Sequence, residues 1–142
     1  MTAWSWTALA EPKGQPRARA TAWGGKPRMW TPSSADAFKN AVAVGAREAV
    51  PAELQPLDQP WALTVVFYLP RPKRLGKRDD TPPHTAKPDL DNLCKAALDA
   101  IVGAGVARDD APMWELHARK VYCEYGDAPR AEFRLSIGEN DA

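Results

Sequence analysis

The chain has 142 residues, a formal net charge of +1 and two cysteines. This length predicts one domain spanning residues 1–142, large enough to fold without disulfides or a structural metal. No run of about 18 apolar residues predicts a membrane span, and the N-terminus lacks the charged-then-apolar order of a secretion signal. We therefore expect a cytoplasmic protein in which Cys94 and Cys123 are reduced and buried.

Charge is distributed unevenly along the chain. Residues 1–87 contain 13 Lys and Arg against 7 Asp and Glu, whereas residues 88–142 contain 6 against 11. A basic half that binds a polyanion and an acidic half that binds metal suit a protein acting on nucleic acid. The alternative is that the uneven charge reflects only the composition of the surface. The sequence motifs distinguish between these two explanations.

The first third of the chain predicts a strand, a hairpin and a helix. Apolar and polar residues alternate near the N-terminus, which favours a first strand. A hairpin is predicted at 18–23 and 27–31, because the glycine pair between them tolerates the positive φ of a tight turn. Residues 35–49 carry apolar side chains at helical spacing, and Pro51 is predicted to end that helix.

Residues 61–69 give the clearest strand pattern of the chain. The segment is β-branched and aromatic, lies between Pro60 and Pro70, and is apolar enough for a central strand. A basic, proline-rich loop follows at about residues 70–88. Loops of this length in compact domains are usually functional or disordered, so this loop is a candidate contact for a partner.

The segment 89–103 predicts an amphipathic helix. At roughly 100° per residue its apolar side chains fall on one side, and the other side carries Asp91, Asn92, Lys95 and Asp99. Cys94 falls on the apolar side and is interpreted as a small buried hydrophobe rather than a nucleophile. The helix therefore separates a core face from a face available for chemistry.

Two segments with period-two alternation, 114–124 and 131–137, predict an antiparallel pair of strands. His84 and His117 have no metal-ligand spacing and are predicted to be surface residues of the loop and the strand. The order of elements predicts an α+β fold, a single domain with a mixed sheet of four to six strands packed against two main helices.

An acidic motif, Asp89-Leu90-Asp91-Asn92, opens the second helix, and Asp109-Asp110 follows that helix. Carboxylates gathered together repel one another unless a positive charge lies among them. The motif therefore suggests a divalent cation and a reaction that needs one.

Other interpretations of the acidic motif fit less well or explain less. An EF-hand loop fails, because its fifth, sixth and twelfth positions would be Leu93, Cys94 and Ala100. A phosphatase-like aspartate would follow a buried strand or lie beside a glycine-rich phosphate loop, and neither is present. A purely structural role remains open, with Asp89 capping the helix and Asp91 favoured by the macrodipole.

The segment 87–93, with Lys95 and the later Asp109-Asp110, is similar to the signature of the RusA family of Holliday junction resolvases. Residues 12–17 and 30–32 resemble the N-terminal block of phage and prophage members. The strand at 61–69 and its basic loop also occupy the expected place, so the resemblance covers most of the chain. The loop is longer than in the family pattern, and substrate contacts there are not carried over.

Similarity to this family implies a homodimeric, Mg²⁺-dependent endonuclease of a bacterial or phage-infected cell. Such an enzyme makes paired nicks in four-way DNA junctions during recombination and repair. By this resemblance, Asp89, Asp91 and Asp110 match metal-binding carboxylates and Lys95 matches a catalytic lysine. Asp109 matches an acidic neighbour that receives no catalytic role.

The chemistry of phosphodiester hydrolysis agrees with this expectation. The reaction needs a more acidic water and stabilisation of growing negative charge, which Mg²⁺ held by carboxylates provides. Asp91 and Lys95 are four residues apart on one helix face, so the ammonium can reach a phosphate or steady the carboxylate. An ordinary surface ion pair is the alternative for Lys95.

Basic residues before the acidic motif form two clusters that are candidates for contact with DNA phosphates. They are Lys13, Arg17, Arg19, Lys26 and Arg28, and then Arg71, Lys73, Arg74, Lys77 and Arg78. Binding dominated by backbone charge predicts an affinity that falls steeply with salt. Two alternatives stay open: a broader metal-dependent nuclease acting on branched DNA, and a protein that binds branched DNA without cutting it.

Overall fold

The computed structural model describes residues 2–16, 19–23, 26–30 and 34–138, with the strand pairing alone for 19–23 and 26–30. In chain order the elements are β1 (Thr2–Ala8), β2 (Arg19–Trp23), β3 (Lys26–Trp30), α1 (Asp36–Ala49), β4 (Trp61–Leu69), α2 (Leu90–Gly103), β5 (Met113–Tyr122) and β6 (Arg130–Ile137). β2 and β3 form a separate antiparallel hairpin, as predicted. The predicted α+β fold, with a mixed sheet and two main helices, is confirmed.

The main sheet has four strands in the order β1-β6-β4-β5. β4 is its central strand as predicted, pairing parallel with β5 and antiparallel with β6. The prediction that the last two strands pair with each other is wrong, because β4 lies between them. Alternation of apolar residues shows which side of a strand is buried, but it does not show which strands are its neighbours. Here residues 123–129, which connect β5 to β6, pass the end of β4.

Helices α1 and α2 lie against each other, and the core forms between them and the main sheet. The odd-numbered residues of β4 from Trp61 to Leu69 are buried in this core, whereas the even-numbered ones are more accessible. On the same core-facing side of the sheet, towards the β1 edge, Trp6 stacks on Phe133 with ring centroids 4.9 Å apart. Gly45 of α1 lies so close to Trp6 that an added Cβ would overlap the indole ring.

Helix α2 has the two faces that its sequence predicts. Leu93, Ala97 and Ile101 are fully buried, whereas Asp91, Lys95 and Asp99 are exposed. Cys94 and Cys123 are buried free thiols, as expected. Within the described ranges, neither helix combines the length and apolar character needed to cross a bilayer.

The basic loop folds back on the sheet through two of its own side chains. A short 3₁₀ turn, Lys73–Leu75, places Leu75 in the interior. The prediction that His84 is a surface residue is wrong, because its ring is buried against Tyr122 with centroids 4.5 Å apart. His117, in contrast, is exposed on β5 as predicted and lies beside Glu115. Burial of His84 depends on Tyr122 of β5, which lies more than thirty residues later in the chain.

Candidate active site

Asp89 occupies the N-cap position of α2, with φ −69° and ψ 143°, but its side chain makes no capping hydrogen bond. Its two carboxylate oxygens accept hydrogen bonds from the Lys87 ammonium at 2.9 and 3.0 Å. The Lys87 side chain is 84% exposed, so solvent screens this ion pair and it contributes little stability. Lys87 is therefore a displaceable partner of this carboxylate, and the lack of a side-chain cap weakens the purely structural explanation for Asp89.

Three charged side chains, Asp91, Lys95 and Asp99, form a stripe along the exposed face of α2. Residues four apart on a helix lie one above the other, which explains the alignment. Among the described residues Lys95 takes part in no ion pair, although Asp91 lies one turn before it. On the inner side, burial raises the pKa of the Cys94 thiol, and the charge of Asp91 adds to that rise.

Asp109 and Asp110 form a hydrogen-bonded pair in the turn before β5. The Asp110 backbone N–H donates to Asp109 Oδ1 at 2.7 Å. The two side chains also hydrogen-bond to each other, which raises the pKa of Asp110 and lowers the pKa of Asp109. The charge of Asp99 contributes to the raised pKa of Asp110. The structure thus brings the charge of Asp99 within reach of Asp110. The sequence pattern places Asp99 on the exposed face of α2 but does not link it to Asp110.

The carboxylates lie at two levels of α2. Asp89 and Asp91 are at its start, whereas Asp99, whose charge acts on Asp110, is about 12 Å further along the axis from Asp91 at 1.5 Å per residue. Carboxylate oxygens are suitable donors for a hard divalent cation. Within residues 2–16, 19–23, 26–30 and 34–138, however, no three His, Cys, Asp or Glu side chains form a group able to hold a metal ion. The donor chemistry fits such a cation, but the described residues do not form a ready-made cage.

Lys120 of β5 fixes the turn that leads into α2. Its Nζ donates hydrogen bonds to the carbonyl oxygens of Ala86 at 2.6 Å and Pro88 at 2.8 Å. Asp89 is the next residue after Pro88, so this lysine sets the position from which the carboxylate projects. No local pattern in the sequence marks Lys120, because its partners lie more than thirty residues away in the chain.

The N-terminal segment contacts the same helix start from the other side. Gln15 donates its backbone N–H to the Asn92 carbonyl at 3.1 Å. A Cβ on Gly14 would lie 3.1 Å from the Cβ of Asn92, so only glycine allows this approach without adjustment. This contact places Lys13, which is paired with Glu11, near the acidic motif.

The predicted DNA contacts of the basic loop have different environments. The Arg71 guanidinium donates to the carbonyls of Gly76, Arg78 and Cys123, and these bonds tie the loop to the end of β5. Lys73, Arg74, Lys77 and Arg78 are exposed, and Arg78 pairs with Asp80 at 3.3 Å. Arg17 lies outside the described residues, and of Arg19, Lys26 and Arg28 only the strand pairing is described.

Fold and site together define a small α+β domain that carries exposed carboxylates along one helix beside a basic, anchored loop. The chain belongs to the RusA endodeoxyribonuclease family, whose model matches residues 10–136. It is also 30% identical over 137 residues to the uncharacterized protein YqaN of Bacillus subtilis (strain 168), an alignment that covers 91% of this chain and 92% of YqaN. RusA-family proteins act on branched DNA junctions and are generally dependent on a divalent metal ion.

Proposed function

We propose that this protein is a Mg²⁺-dependent, structure-selective endodeoxyribonuclease that resolves Holliday junctions by paired phosphodiester nicks in recombination and repair. The proposal is supported by the family match together with the observation that Asp89, at the N-cap of α2, does not use its carboxylate to cap the helix. We further propose that it acts as a homodimer, because paired nicks need two active sites. We also propose that it acts in the cytoplasm.

Phosphodiester hydrolysis requires an acidified water, compensation of developing negative charge and stabilisation of the leaving alkoxide. We assign Asp89 and Asp91 as carboxylates that would hold one Mg²⁺, which would supply charge compensation and a more acidic water. We also propose Asp110 as a metal-binding carboxylate, but at the level of Asp99 it would not share that ion within one subunit. Lys87 leaves Asp89 at low cost, because the exposed pair is screened by solvent. Lys95 has no ion-pair partner among the described residues, so its ammonium is available to donate to a phosphate oxygen.

DNA is held mainly through its backbone charge in this proposal. Lys13 and the exposed loop residues Lys73, Arg74, Lys77 and Arg78 supply phosphate contacts, whereas Arg71 acts through the loop that it anchors. Each neutralised phosphate contributes about 0.9 to the slope of log affinity against log salt. Affinity for a junction is therefore expected to fall steeply as salt rises, and a flat response would count against DNA as the substrate.

The decisive experiment incubates a labelled mobile four-way junction and a matched duplex with the protein, in Mg²⁺ and in EDTA. Asp91→Asn and Asp110→Asn are expected to lower junction cleavage by about 100-fold or more, since each removes charge from the reacting centre. Asp36→Asn is the matched control, because Asp36 lies exposed in the first turn of α1 as Asp91 does in that of α2.

Each outcome of this experiment has a defined meaning. Symmetric cuts confined to the junction that need Mg²⁺ support resolution of junctions. Equal cutting of the duplex would replace the proposal with a broader nuclease, and binding without any cutting would replace it with a DNA-binding protein. Cleavage that persists in both Asp91→Asn and Asp110→Asn would refute the assignment of these carboxylates to the reaction.

A further inference from the structure

A cleft lies between the basic loop and the end of β5, and we propose that it binds one unpaired nucleotide of branched DNA. This inference rests on the proposed function and assigns a substrate subsite that the acidic helix does not provide. The cleft has a volume of about 470 Å³, within the range of roughly 300–1,000 Å³ typical of small-ligand pockets. A cleft of that size accommodates a single nucleotide unit and not a segment of duplex.

Three tyrosines line the cleft, but only one presents a ring that is largely open. The Tyr68 ring is covered by the Arg130 guanidinium at 3.9 Å, and its hydroxyl bonds to Glu132. The Tyr122 ring packs against His84. Tyr125, in contrast, is 61% exposed. A large aromatic side chain left in solvent beside a polar cleft is suited to stacking against a nucleobase.

Charge in the cleft is mixed, which suits a nucleotide better than a bare phosphate. Lys77 lies 5.3 Å from the centre of the Tyr125 ring, and Arg119 is exposed on the adjoining wall. These two cations can contact the phosphate of a nucleotide whose base stacks on Tyr125. Asp79 and Glu124 also line the cleft, and carboxylates accept hydrogen bonds from the N–H groups of bases.

Hydrogen bonds of Arg71 hold the walls of the cleft. Arg71 donates from Nε to the Gly76 carbonyl at 2.8 Å and from Nη1 to the Cys123 carbonyl at 3.1 Å. These bonds connect the loop wall to the strand wall. Walls held by such bonds lose less conformational entropy on binding, which favours capture of a single flexible nucleotide.

The test compares binding of a short duplex carrying one unpaired nucleotide with binding of the same duplex without it, in EDTA so that no strand is cut. Wild type is expected to prefer the duplex with the unpaired nucleotide. Tyr125→Leu should reduce that preference by about 5- to 150-fold, the range equivalent to loss of one stacked base. Tyr125→Phe, which keeps the ring, should retain it.

Trp114→Leu is the matched control, because Trp114 is an exposed aromatic residue near the other end of β5 and outside the cleft. No preference in wild type, a preference that persists in Tyr125→Leu, or an equal loss in Trp114→Leu would each overturn the inference. Binding in EDTA is read separately from cleavage in Mg²⁺. Failure of the nuclease proposal would therefore leave a positive binding result visible, and the reverse also holds.

Discussion

Replacement of Lys120 by methionine tests whether the turn before Asp89 has to be held for catalysis. The Lys120 ammonium bonds to the carbonyls of Ala86 and Pro88, and methionine keeps an apolar stem while removing both bonds. A hydrogen bond from a charged group contributes about 1.5–3 kcal/mol when it is well shielded. Because Ala86 is exposed, water can replace the lysine there, and mainly the bond to the half-buried Pro88 is lost.

We therefore expect Lys120→Met to lower the free energy of unfolding by about 2 kcal/mol. For a chain of this size that corresponds to a fall in Tm of about 4–8 °C. The rate of junction cleavage should fall by more than the loss of folded protein explains. Displacement of a reacting group by about 1 Å can lower the rate about 100-fold.

The assay measures single-turnover cleavage at a temperature where the variant is fully folded, beside a thermal melt. Arg47→Met controls for the loss of one positive charge, because Arg47 lies exposed on α1. Lys120 also lowers the pKa of His84, after the larger effect of burial, so the variant should raise the His84 pKa. Wild-type cleavage in a folded Lys120→Met protein would refute the positioning role, and an unchanged melt would refute the structural one.

Two further predictions concern stability. Gly45→Ala should destabilise the protein by about 1–2 kcal/mol in urea unfolding, because its methyl group overlaps a Trp6 ring that is stacked on Phe133. Gly103→Ala, whose added Cβ meets no atom within 4 Å, should be neutral or stabilising, and equal effects at both sites would contradict the packing argument. Burial, and then the charge of Lys120, lower the pKa of His84, which also faces Tyr122. On acidification His84 therefore takes up its proton in the unfolded chain, at about pH 6.5, before it does so in the folded chain. The stability associated with neutral His84 is present above about pH 6.5. It is lost as the pH falls from that value to the lower pKa of the folded state. His84→Phe should flatten this part of a pH series of urea midpoints, and an unchanged series would contradict it.

The local structure of the protein follows from patterns in its amino-acid sequence. Period-two alternation identified β1, β5 and β6, the apolar β-branched run between two prolines identified β4, and the glycine pair identified the β2–β3 hairpin. The helical spacing of α2 placed Leu93 and Ile101 in the core and Asp91, Lys95 and Asp99 on the exposed face. These properties depend on residues within one or two turns of each other, so a linear pattern contains them.

Which of these elements contact one another depends on the tertiary structure. The insertion of β4 between β5 and β6, the burial of His84 against Tyr122 and the approach of Asp99 to Asp110 all depend on residues far apart in the chain or on the path between elements. The same holds for the two sites proposed here. Their carboxylates and basic residues are visible in the sequence, but the bonds that Lys120 and Arg71 make to distant carbonyls exist only after the sheet and loop have packed together.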